Sequence, residues 1–253
     1  MYAETTLRFS DPLVQILVDR SFSIDDVVFT EKGGATLIDP NQQARIEASW
    51  QDVLAKNPKA FAGATVRLDG FQFSDDGARL LLDVVSSDYK QGMVLGWLGV
   101  AMIPITSDGF VALQAPVASI AATVGGGIRV PGCTPPHPRF FHHIVQEMLE
   151  EFGVTVGFSQ LKVLGLVQVS PPAAKYHHTL VVMVSLKETI GELKVSWEKA
   201  EDKWEGEVLP FQLTPNNVIQ VMFCERDKYG PVTPLSLYLV ARARFGDFGV
   251  SVH

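Results

Sequence analysis

The chain has 253 residues, 47% of them hydrophobic and 19% charged, and a formal net charge of −7. That size suits one large domain, or one domain with a substantial N-terminal addition, at an ordinary globular balance. The acidic balance argues against broad nucleic-acid binding, though not against a nucleotide ligand, and no apolar run approaches the roughly 18–20 residues of a membrane span.

In chain order, Glu4 to Phe9 reads as a short strand. Val27 to Thr30 reads as another, stopped by the turn Glu31–Gly34. Ala44, Ile46, Trp50, Val53 and Leu54 fall mostly at helical spacing, which predicts a helix over Asn41–Asn57 started by Asp39-Pro40. Thr65–Phe73 and Ala78–Val85 form a hairpin around Ser74–Gly77. Residues 1–92 are therefore expected to be a β-α-β-β extension packed on the rest of the chain. Met1–Ser10 carries Glu4 and Arg8 and no apolar signal core, so a cytoplasmic protein is expected.

Residues 93–253 form the second unit. Val94–Ile105 is nearly continuous apolar sequence and pairs with Phe110–Gln114 across the turn Ser107-Asp108-Gly109. Pro116–Ile128, rich in small residues, is an excursion or a strand with bulges. Leu161–Val169 and Thr179–Leu186 read as strands, and Asn216–Tyr229 and Pro234–Phe245 as helices. Glu192–Glu207 is a charged stretch holding Trp197 and Trp204. Strands, a central helix, more strands and then helices predict an α/β fold: a mixed sheet sandwiched by helices, not a strict parallel repeat.

The chemistry concentrates between Gly132 and Val154. A strand ends at Val130-Pro131-Gly132, and a proline-rich loop carries Cys133, His137 and Pro138. A helix comes next, with Pro138 suited to its first position and Gly153 to its stop. At about 100° per residue, Phe141, Ile144, Val145, Met148, Leu149 and Phe152 share one buried face. Glu147, Glu150 and Glu151 lie beside that face, spread over about 100°. His143 stands one turn before Glu147 on the same side. Three like charges near a helix C-terminus repel one another and oppose the helix dipole. A hard cation bound by oxygen ligands would offset that cost, Mg²⁺ being the best fit. The plain alternative is a solvated acidic face, the usual fate of such runs.

The run Gln146-Glu147-Met148-Leu149-Glu150-Glu151-Phe152-Gly153-Val154, with Gly132 upstream, resembles the signature box of the Nudix hydrolases. Gly132, Glu147, Met148, Glu150, Glu151, Gly153 and Val154 match it. Gln146 stands where the family has arginine, and Pro138 where it has an upstream glutamate. The resemblance covers residues 93–253 and implies a Nudix-type α/β/α sandwich with an N-terminal α+β extension. It implies hydrolysis of a diphosphate linked to another moiety. Glu147, Glu150 and Glu151 would bind Mg²⁺, with Mn²⁺ as the alternative ion, and Glu147 or Glu151 would orient or deprotonate the attacking water. A carbonyl near Gly132–Cys133 would assist. Within the family, Ile46–Trp50, Pro58–Leu68, Leu80–Val84 and Ser87-Asp88-Tyr89-Lys90 resemble the UDP-glucose and UDP-galactose pyrophosphatases, which implies a UDP-sugar cleaved to UMP and sugar 1-phosphate. The two departures leave a second reading open, a Nudix-fold binding or regulatory module that has lost catalysis. A third keeps hydrolysis but takes ADP-ribose or a dinucleotide.

Further residues have two readings each. His143 is an auxiliary acid–base group or a substrate-binding phosphate contact, or else a surface histidine. Arg129 and Lys90 are phosphate contacts on charge alone. Tyr89, Trp197 and Trp204 stack on a base or pack the core. Glu205 is an additional acid or a solvated loop residue. His137, His142 and His143 with Cys133 do not make a zinc site, because His142 lies well round the helix from His143. Cys133 and Cys224 are expected to be reduced thiols. Tyr176-His177-His178 is expected in a loop, and Gly125-Gly126-Gly127 lacks the residues of a P-loop. The expected partner is a small nucleotide substrate, with no nucleic acid and no membrane; the sequence sets no oligomeric state.

Overall fold

Asp39 opens the first helix because its side chain accepts the Gln42 N–H at 2.8 Å while the Gln42 side chain accepts the Asp39 N–H at 3.2 Å. That helix, α1 (Pro40–Lys56), lies between strand β4 (Val27–Glu31) and the hairpin of β5 (Ala64–Phe73) and β6 (Leu80–Asp88). The three strands form a small sheet in the order β4-β6-β5, the expected β-α-β-β unit. The computed structural model describes residues 7–11, 13–33, 38–58, 60, 62–115, 125–127, 139–170, 177–201 and 206–252.

The large sheet gathers β7 (Leu98–Ile105), β8 (Phe110–Ala115), β10 (Leu161–Val169), β11 (His177–Ser185) and β12 (Glu207–Gln212) with β2 (Val14–Val18) in the order β12-β8-β7-β11-β10-β2. Short strands β3 (Phe22–Ser23) and β9 (Gly125–Gly127) join β10 and β7. β7 and β11 are parallel, and their other pairings are antiparallel, so the sheet is mixed as expected. A further pair joins β1 (Leu7–Phe9) to β13 (Val250–Val252) in parallel.

Alternation along the central strands divides the core into two layers. Leu98, Val100 and Met102 face one side of β7, and Ala101, Ile103 and Ile105 the other. The first side packs on the small sheet, on α3 (Arg139–Phe152) and on α4 (Ile190–Trp197). The second packs on α5 (Pro215–Phe223) and α6 (Thr233–Phe245). Helices therefore cover both faces. In β10 a register shift between Val163 and Gly165 changes the phase, so Val163 and Leu166 both face the α3 side. Gly165 allows β2 to close on this bulge: a Cβ there would lie 2.3 Å from the Val18 carbonyl oxygen.

Several expectations need correction. The apolar run from Val94 is not all strand. Asp88 caps α2 (Tyr89–Leu95), Gly96 ends it at φ +84°, and β7 begins only at Leu98. The run Asn216–Tyr229 is α5 followed by a separate 3₁₀ turn at Arg226–Lys228. His177 and His178 lie inside β11, not in a loop, because β7 and β10 pair with that end of the strand. β2, β3 and α4 are additions to the expected elements. The first two supply residues 14–23 to the large sheet, and Thr189 with Glu192 caps the third by a reciprocal pair of hydrogen bonds. No helix among the described residues is long and apolar enough to cross a membrane.

Candidate functional site

Helix α3 carries the acidic residues, and its burial differs from the simple wheel. Phe141, Ile144, Met148 and Phe152 are buried as expected, but Leu149 is 51% exposed while Glu151 is only 2% exposed. The helix is rolled so that its inward arc centres on Met148 and leans toward Glu151, because the large sheet and the small sheet meet it on that side. Phe141 packs edge-on against Phe29 of β4 at 6.1 Å. Gly153 ends the helix at φ +67°, its N–H bonding the Leu149 carbonyl at 3.0 Å.

Each glutamate has a different described partner. Glu151 accepts a 2.7 Å hydrogen bond from the side-chain amide of Gln114 on β8, and both residues are buried. Glu147 meets His143 Nδ1 at 3.1 Å, one turn away on the same helix. Glu150 accepts a 2.6 Å hydrogen bond from Gln146, so the residue in the arginine position does hydrogen-bond a carboxylate of this cluster. Among the described residues, His143 Nε2 is buried without a hydrogen-bond partner. If its partnered Nδ1 carries the proton given to Glu147, Nε2 is a bare acceptor. His142 instead packs edge-on against Phe158 at 4.8 Å, apart from His143 as the helix geometry requires.

The donor chemistry suits a hard divalent cation: three carboxylates, two of them four residues apart on one helix. The side chains are nonetheless turned to the protein partners just named. Among the described residues, no group of three or more His, Cys, Asp or Glu is gathered to hold a metal ion. Gly132, Arg129 and Glu205, with Cys133, His137 and Trp204, lie outside the described residues.

At the opposite end of α2 from Gly96, Tyr89 is 42% exposed and stacks on Trp97 at 5.4 Å, and Trp97 in turn meets His177 at 4.2 Å. Tyr89 thus combines a stacking contact with partial exposure to solvent. Lys90 forms an ion pair with Glu47 of α1, so its charge is engaged by the protein. Trp197 packs against the core beside α3, which favours its packing role. Burial lowers the His177 imidazole, and burial together with the neighbouring His177 lowers His178 to about 4, leaving both neutral near pH 7. Gln114 escaped the sequence reading. Its only signal is a polar residue at a position of β8 where alternation from Ala112 points toward the core.

The fold is a mixed α/β sandwich with three glutamates on one covering helix, each turned to its own partner. The chain matches no protein-family model and no curated protein.

Proposed function

We propose that this chain is a cytoplasmic, divalent-metal-dependent hydrolase of the Nudix type that cleaves the diphosphate of a nucleoside diphosphate joined to another moiety. A UDP-sugar, giving UMP and sugar 1-phosphate, is the substrate best supported by the resemblance around Tyr89 and Lys90. The observation that carries the reading is the placement of Glu147 and Glu151. They are adjacent on α3, follow the Gly132 segment, and lie where one carboxylate is tied into the sheet and the other is partly open.

Glu147, Glu150 and Glu151 would hold Mg²⁺, or Mn²⁺ in its place, and the bound ion would neutralise phosphate charge and ease ionisation of a water. Water adds to one phosphorus atom, the bridging P–O bond breaks, and Glu147 or Glu151 takes the water's proton. Tyr89, partly exposed and already stacked on Trp97, is the aromatic side chain that would stack on a planar base. Arg129 and Lys90 are phosphate contacts in this reading, with Lys90 first released from Glu47. Gly132 would bring backbone close to the phosphates, and Glu205 is an additional acid.

One observation favours a second reading, a Nudix-fold nucleotide-binding or regulatory module: the three carboxylates are each turned to a protein partner and not gathered. Phosphatase-coupled hydrolysis of UDP-sugars, ADP-ribose and dinucleoside polyphosphates, with Mg²⁺ and with EDTA, separates the two. Metal-dependent release of UMP from UDP-glucose is expected. Absence of turnover on every compound, despite Mg²⁺ binding by calorimetry, would establish the binding module instead.

A further inference from the structure

The geometry points to a binding site for a small phosphate-type oxyanion on the N-terminal sheet, made by Arg67 and Thr65 of β5. The site uses none of the α3 glutamates and does not depend on the hydrolase reading. Val66 and Leu68 belong to the core layer that also holds the buried residues of α3. Thr65 and Arg67 alternate with them along the strand, so the two stand together on its other face. The register shift in this hairpin lies beyond Leu68, so the alternation is regular here. Across the pairing, Thr65 stands opposite Ser87 and Arg67 opposite Val85. Helix α2 packs on β5 and β6, and its Tyr89 N–H bonds the Gly63 carbonyl at 2.8 Å, which ties the start of α2 to the segment just before β5.

Among the described residues, both side chains carry a buried polar atom with no hydrogen-bond partner: Thr65 Oγ1 and Arg67 Nε. Thr65 is only 5% exposed, whereas Arg67 is partly exposed, so a solute can reach the guanidinium. The carboxylates next along these strands are already engaged. Asp69 and Asp83 both pair with Lys32, and Asp88 accepts the Gln91 N–H. A buried hydroxyl and a buried guanidinium N–H without acceptors each cost free energy. Water could satisfy the hydroxyl, but it would leave the guanidinium charge unpaired. An oxyanion does both. The rigid fork of the guanidinium presents Nε–H and a terminal N–H to two oxygens, and a phosphate has a third oxygen to accept from the hydroxyl.

The test is titration with inorganic phosphate, followed by calorimetry and thermal melting, at an ionic strength held constant with chloride. It is run on the unsubstituted chain, on Arg67→Met and on Thr65→Val. The unsubstituted chain should bind phosphate and melt higher as phosphate rises. Arg67→Met should weaken phosphate by about 10–100-fold. Thr65→Val keeps the shape and removes only the hydroxyl; it should weaken phosphate by about 10-fold and, without phosphate, melt no lower than the unsubstituted chain. Should Arg67→Met fail to fold, Thr65→Val alone decides. A purely structural role for the two residues would shift the melting temperature equally with and without phosphate, and that result would overturn the site. Two further titrations, with UMP and with uridine, identify the source of the anion. UMP held more tightly than phosphate, with the same loss in Arg67→Met, assigns the site to the phosphate of a nucleotide. Equal affinity for UMP and phosphate, with no binding of uridine, assigns it to free phosphate. An unsubstituted chain that binds no phosphate, or binding equally strong in both variants, would overturn the site.

Discussion

Gly153 and Ser196 meet backbone to backbone: a Cβ at Gly153 would lie 2.5 Å from the Ser196 carbonyl oxygen. The contact sets the end of α3 against the end of α4, and Gly153 sits at φ +67°, where a side chain is strained. Gly153→Ala combines that strain with a clash against backbone that cannot rotate away. It should cost roughly 2–4 kcal/mol, read from the urea midpoint. An unchanged midpoint would mean that α3 and α4 do not pack this closely.

The roll of α3 is checked by two neighbouring truncations. Met148 is fully buried and Leu149 half exposed. Met148→Ala should cost about 2–4 kcal/mol through lost burial and a cavity. Leu149→Ala should stay within about 0.5 kcal/mol. Equal losses in chemical denaturation would restore the symmetric face that the helical wheel suggests.

Glu147→Gln and Glu151→Gln should each abolish metal-dependent turnover while the fold is retained. In Glu151→Gln the new side chain can still accept the Gln114 amide through its carbonyl oxygen, so the Gln114 donor keeps its acceptor. Glu151→Ala removes that acceptor and should cost a further roughly 1–3 kcal/mol of stability. Normal turnover in both glutamine variants would remove α3 from the chemistry.

Stability should depend on pH through His178. Its folded-state value, about 4, lies below the ordinary 6.5. As pH falls below 6.5 the unfolded chain takes up a proton that the folded chain refuses until about pH 4. The stabilisation is therefore complete above 6.5, is lost progressively as pH falls toward 4, and changes little below that. Between pH 7 and pH 5 the loss from His178 is roughly 2 kcal/mol. His178→Leu should flatten the pH dependence of the melting temperature by that share, and an unchanged slope would place the titration elsewhere.

Legibility followed the range of the interactions. Asp39-Pro40 marked α1, Gly153 marked the end of α3, and the Ser74–Gly77 turn marked the β5–β6 hairpin, all through contacts a few residues apart. Helix α4 had a local signal in Thr189 and Glu192, hidden in a charged stretch. The aromatic column of Tyr89, Trp97 and His177 had none, since its three rings come from α2, the loop before β7 and the start of β11.

By itself the sequence determined the α/β class, the hairpin, the central helix and the presence of three glutamates on it, because helical periodicity, caps and turns are written in adjacent residues. Tertiary structure alone decided that β2 and β3 join the large sheet, that the His177-His178 pair is strand, and that Glu151 and not Leu149 faces inward. It also decided that Gln114 reaches Glu151. Those outcomes depend on which surfaces two distant segments bury against each other, and a wheel drawn on one helix contains no information about its neighbours.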